Sequence, residues 1–112
     1  LIPRRRKREP LGLKEATVIR CASHLTWLRG CTCAIEKRGG KIEAAHVRTG
    51  TDGGIGLKPS DTYAIPLCAE AHREQHQIGE PAFERRYGID MRELAESHAA
   101  KSPHRKKWMD WP

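Results

Sequence analysis

Aromatic side chains are scarce in this chain. Among 112 residues there are one Phe, two Tyr and three Trp, and hydrophobic residues make up 38%. So little apolar material builds only a small core. That excludes several domains and favours one, with tails, that a bound metal would help to stabilise. No apolar run is long enough to span a bilayer, and no apolar signal-peptide core opens the chain, so no membrane partner is expected. Internal repeats and low-complexity segments are absent. Nothing suggests secretion, so the four cysteines (Cys21, Cys31, Cys33 and Cys68) read as reduced cytoplasmic thiols or metal ligands rather than disulfides. The numbering starts at Leu1 and not at a Met, as expected of a start inside a longer product or after processing. Acidic residues are the minority: 14 Asp and Glu stand against 21 Lys and Arg, for a net charge of +7. Counterion release rewards such a chain for binding a polyanion, which makes nucleic acid the expected partner.

What is present divides into three parts. Residues 1–12 form a basic arm with an unbroken basic run from Arg4 to Arg8. It is either a phosphate-contacting segment or a solvated tail. Residues 13–102 carry the patterned segments, and residues 103–112 form a basic tail with Trp108 and Trp111, expected to pack back onto the domain rather than stack on bases. Within the middle part a short helix is expected from Ser23 to Arg29, with Ser23 as its cap. Residues 31–47 read as a β-hairpin whose arms are CTCAIE and KIEAAHV, with Lys37-Arg38-Gly39-Gly40 as the turn. A long loop with five glycines or prolines at 50, 53, 54, 56 and 59 follows over 48–61. TYAIPL, 62–67, is a further short strand, with Pro66 near an edge or terminus. A helix from about Ala69 to Gln77 stops at Gly79. A second runs from Pro81 to Gly88, and a third over 91–102 is capped by Asp90. The fold class is α+β.

The chemistry lies between Ile42 and Gly79. His72 and His76 are four residues apart, so a helix places both imidazoles on one face, as a shared metal ion requires. Their neighbours Arg73, Glu74 and Gln75 look solvated, and the alternative to a metal site is a pair of surface histidines. His46 ends an apolar strand just before the glycine loop. Taken alone it reads equally as a satisfied edge residue. Phosphodiester hydrolysis needs a base to activate water and a cation to stabilise developing negative charge. A strand histidine facing a metal on a helix pair supplies both. Zn²⁺ or Ni²⁺ suits imidazole ligands, whereas Mg²⁺ prefers oxygen. Arg48 and Lys58 flank the glycine loop and are candidates for phosphate contact, with loop solvation as the alternative.

The motif IEAAHVRTGTDGGIGLKPSD, followed by IPLC and by HREQH with GEPAFERRYGID, resembles the HNH, or ββα-metal (His-Me finger), endonucleases. The resemblance runs from about His24 to Gly88. Within that group the chain is most similar to small phage and prophage proteins related to the recombination-enhancement nuclease. It implies a small ββα-metal core, a β-hairpin plus helix, with additional helices on the C-terminal side. It further implies a bacterial or phage origin and an endonuclease using one divalent ion (Zn, Ni, Mn or Mg) to cut DNA. His46 matches the general base, and His72 and His76 match the metal-binding helix histidines. Asp61 approximates the middle residue, usually Asn, that orients the base; its alternative is a turn residue after Pro59-Ser60. Two departures stand out. Ala45 occupies the place of a frequent third ligand, which leaves His46 itself, Asp52 in the glycine loop, or water to complete the shell. Ala71 breaks the second Cys-x-x-Cys pair of the structural zinc found in many relatives. What remains is either a site using Cys33, Cys68 and a histidine or simple packing roles for these cysteines. The rival function is a catalytically degenerate nucleic-acid-binding module that keeps the scaffold. A third is a structural zinc-binding adaptor that contacts another protein.

Overall fold

In the computed structural model, residues 18–51 and 58–108 are described. In chain order they form helix α1 (Ala22–Arg29), strands β1 (Ile42–His46) and β2 (Ala64–Cys68), helices α2 (Ala69–Ile78), α3 (Glu80–Tyr87) and α4 (Met91–Lys101), and a 3-10 turn at Arg105–Lys107. The class is α+β, a two-stranded antiparallel hairpin with a helix directly after it and further helices on the C-terminal side. Among the described residues no helix is long and apolar enough to cross a membrane.

The helix boundaries follow local chemistry. Gly79, at φ 88°, ends α2 and serves as the N-cap of α3. Gly88 closes α3 in the left-handed conformation that glycine adopts without a Cβ penalty. The Asp90 carboxylate accepts from the Glu93 amide at 3.0 Å and caps α4. At α1 the cap falls on Cys21, not Ser23, and the Cys21 side chain makes no capping bond.

The hairpin differs from the one expected. Residues 31–36 make no strand. They form a tight turn in which the Glu36 amide reaches the Cys33 carbonyl at 2.8 Å. The partner of β1 is instead β2, in a register that sets Ile42 opposite Cys68 and His46 opposite Ala64. The expected turn at 37–40 packs under the start of α2, where the Gly39 carbonyl accepts from the Glu70 amide at 2.8 Å. A Cβ at Gly39 would lie 2.5 Å from the Glu70 Cβ, so the close approach needs glycine. Pro66 lies within β2, opposite Ala44, and not at its end. Bonds from the Val47 amide to the Tyr63 carbonyl and from the Ala69 amide to the Lys41 carbonyl show that this position lacks a ladder bond to β1. The missing N–H of Pro66 therefore costs nothing, and its carbonyl accepts from Ala34 on the outer side at 2.8 Å.

The core is built mostly from small and aliphatic side chains, Ala45, Val47, Ile65, Leu67, Ala71, Met91 and Ala95 among them, around the fully buried Phe83. Ala45 is fully buried, so the place of the absent third ligand belongs to the core. At the far end, Trp108 meets the buried His24 edge-on, with ring centroids 4.9 Å apart, and the Ser102 hydroxyl bonds His24 Nδ1 at 2.9 Å. Trp108 thus packs inward. The arm 1–12 and Trp111 lie outside the described residues.

Candidate metal and phosphate cleft

The β1–β2 register brings the first half of the site together. His46 ends β1 opposite Ala64, the first residue of β2, so Asp61, three residues upstream of Ala64, stands beside it. His46 Nε2 and Asp61 Oδ1 are 2.9 Å apart. The other carboxylate oxygen accepts from the Cys21 amide at 2.8 Å, and the Asp61 amide donates to the Ile19 carbonyl at 2.8 Å. The Arg20 guanidinium lies 3.6 Å from Asp61 Oδ1 and donates to the carbonyls of Pro59 and Lys58. Asp61 is 3% exposed. Burial pushes its carboxyl up, but the hydrogen bonds from His46 and the Cys21 amide, with the charges of His46 and Arg20, outweigh burial and hold it below the ordinary carboxylate value. An ionised carboxylate only accepts, so His46 Nε2 carries a proton, and in the neutral imidazole the lone pair is on Nδ1.

The second half is built on α2. Because α2 follows β2 without a break, its first turns fold back beside β1. There Glu43 Oε1 meets His72 Nδ1 at 2.7 Å. The carboxylate again selects the tautomer and leaves the His72 Nε2 lone pair on the side of His76. His76 Nε2 lies 3.2 Å from His72 Nε2. Two nitrogens each about 2.0–2.1 Å from one ion are about 2.8–3.4 Å apart between octahedral and tetrahedral geometry, so the pair already has the bite of two metal ligands. A carboxylate behind a ligating imidazole is the usual support for such a ligand.

Both halves open on one cleft of about 580 Å³, lined by Ala44, His46, Arg48, Thr49, Lys58, His72, Gln75, His76 and Glu80 among others. Lys58 and Arg48 thus share the cleft with the histidines. The buried Glu80 carboxylate accepts from the amides of Arg48 and Thr49, both at 2.8 Å, and ties the start of the long loop to the start of α3. Gln75 Oε1 is buried in the cleft wall with no hydrogen-bond partner among the described residues. Asp52 lies outside the described residues. Among those described, no group of three or more His, Cys, Asp or Glu side chains is placed to hold one ion.

Cys33 and Cys68 lie elsewhere, on a second cleft of about 840 Å³ that Cys31 and residues 36–40 also line. The Cys68 amide donates to Cys33 Sγ at 3.3 Å, and the Ala71 amide to Cys68 Sγ at 3.4 Å. Burial pushes the Cys33 thiol up, but hydrogen bonds from the amides of Cys68, Ile35 and Lys37 and from the Cys68 side chain prevail and hold it below its ordinary value. No histidine joins these two cysteines in a ligand group among the described residues.

Sequence reasoning brought His46, Asp61, His72 and His76 forward, missed Glu43, Glu80 and Arg20, and took Gln75 for a solvated residue, whereas it is 6% exposed. The signal for Glu43 was its place in the same short strand as His46, the one carboxylate in an otherwise apolar run. Residues 14–101 match the model of a family described as "Protein of unknown function (DUF968)". No curated protein and no solved structure matches the chain.

Proposed function

This chain belongs to the DUF968 family, and from its cleft we propose a metal-dependent endonuclease of the HNH type that hydrolyses phosphodiester bonds in DNA. The observation that carries the reading is the convergence on one cleft of a carboxylate-oriented His46 and the facing pair His72 and His76. The basic balance of the chain supports a polyanionic substrate. His72 and His76 would hold the ion (Zn²⁺, Ni²⁺, Mn²⁺ or Mg²⁺), and the spacing of their Nε2 atoms fits that role. When bound, the ion supplies charge stabilisation for the phosphate and the leaving oxygen. His46 Nδ1 takes the proton of the attacking water. Asp61 holds the imidazole in the tautomer that leaves Nδ1 free, and favours the imidazolium that forms. Lys58 and Arg48 bind flanking phosphates from the cleft rim. One such site cuts one strand.

The test is nicking of supercoiled plasmid in Mg²⁺, Mn²⁺, Ni²⁺ and Zn²⁺ by the parent protein and by His46→Ala. The parent is expected to nick with at least one ion, and the variant to be slower by about a hundredfold or more, the usual contribution of a general base. Equal rates would sink the assignment of His46. DNA binding by the parent with no cleavage in any of the four metals would favour the non-catalytic module.

A further inference from the structure

The Cys33–Cys68 pair lines a separate cleft and has no part in the proposed hydrolysis. Cys33 sits in the tight turn after α1, and Cys68 ends β2 and is the N-cap of α2. The segments meet through two backbone contacts: the Ala34 amide on the Pro66 carbonyl at 2.8 Å, and the Cys68 amide on Cys33 Sγ at 3.3 Å. The other two thiols are turned elsewhere. Cys31 Sγ faces the Trp27 carbonyl at 3.6 Å, and Cys21 Sγ the Ser23 hydroxyl at 3.4 Å. All four cysteines are free thiols. Both Cys33 and Cys68 line a cleft open to solvent, which gives a small oxidant a way in. No group of three or more His, Cys, Asp or Glu side chains is placed to hold one ion among the described residues, so the pair falls short of the four ligands of a structural zinc site.

We propose that Cys33 and Cys68 form a reversible disulfide on exposure to a peroxide, and that this bond is a modification site joining the turn after α1 to the start of α2. The amides of Cys68, Ile35 and Lys37 are directed at Cys33 Sγ, against that of Ala71 at Cys68 Sγ, so negative charge is better stabilised on Cys33, which is the attacking thiolate. It attacks one peroxide oxygen and the O–O bond breaks. The sulfur becomes a sulfenic acid, and the departing hydroxide takes a proton to leave as water. Cys68 sulfur then attacks the Cys33 sulfur. Its proton and the sulfenic hydroxyl leave as a second water, and the S–S bond forms. Two thiols lose two electrons and one peroxide is reduced to two waters. A dithiol reductant reverses the step. The bond lies four residues before His72, so the modification reaches the start of the helix that carries the facing histidines.

The experiment treats the full chain with hydrogen peroxide under native conditions. Unreacted thiols are then blocked, and the protein is denatured, counted for thiols and mapped by digestion without reductant. The expected result is a fall from four free thiols to two, one linked peptide pair containing Cys33 and Cys68, and full return of the thiols with dithiothreitol. The Cys21→Ser/Cys31→Ser double variant should fall from two to none, and Cys33→Ser should form no intramolecular link. Mapping of the parent protein decides the matter even where a variant does not fold. A bridge that uses Cys21 or Cys31, over-oxidation of Cys33 with Cys68 still free, or a zinc ion co-purifying with the chain and lost on blocking Cys33 and Cys68 would each overturn the proposal. None of these outcomes bears on the hydrolytic reading.

Discussion

The two halves of the histidine cleft are held in different ways. His46 leans on a carboxylate that is 3% exposed and is itself fixed by the Cys21 amide and the neighbouring Arg20. His72 leans on Glu43, whose side chain is 46% exposed, and His76 is exposed and meets the His72 ring nitrogen at 3.2 Å. Burial and multiple bonds fix one imidazole in orientation and tautomer. A single exposed bond leaves the other two free to adjust. The contrast matches the demands of the proposed chemistry. A base must be aimed before the substrate arrives, while metal ligands are drawn into place by the ion they bind.

Several measurements would break or sharpen this contrast. The largest expected effect is that of His46→Ala, about a hundredfold or more in nicking rate, with metal affinity unchanged by calorimetry; loss of metal binding in this variant would make His46 a ligand rather than a base. Next, Glu43→Gln should weaken metal binding by about 10–100-fold while the melting temperature barely moves. Equal affinity in both proteins would remove Glu43 from the metal half. Asp61→Ala should do the reverse. It leaves the Cys21 amide and His46 Nε2 without their acceptor and should cost about 1–3 kcal/mol in denaturant unfolding, against about 0.5 kcal/mol or less for the exposed Glu43→Ala. Lys58→Ala should weaken DNA binding evenly across sequences and lower the slope of log affinity against log salt by about one. An unchanged slope would take Lys58 off the phosphate path.

The smallest effect is in acid. The Asp61 carboxyl in the folded protein lies below its ordinary value of 3.8, so the unfolded chain binds the proton more readily. Its contribution to stability is complete above pH 3.8 and is lost as pH falls through the lower folded value. Acid titration of stability should therefore be shallower below pH 3.8 in Asp61→Asn than in the parent. Parallel curves would mean that the buried ion pair is energetically silent.

The contrast also explains what could be read from the chain alone. Helices α2, α3 and α4 were legible because their limits are set by neighbours in sequence: Gly79, Gly88 and the Asp90 cap act within a few residues. The i, i+4 spacing of His72 and His76 needs only that α2 be a helix, so that pair was legible too. The partner of β1 was not. Residues 31–36 and 64–68 are both short, and a two-residue glycine turn at 39–40 favours the nearer one. Strand pairing is a non-local choice, and here the two ends of the long loop are held from outside it: Asp61 accepts from the Cys21 amide, and Glu80 accepts from the amides of Arg48 and Thr49. Sequence by itself determined the residue types able to do chemistry and the helix that presents two of them. Only the tertiary structure decided which carboxylates stand behind them, since Glu43 reaches His72 across 29 residues and Asp61 reaches His46 across a loop whose closure no local propensity encodes.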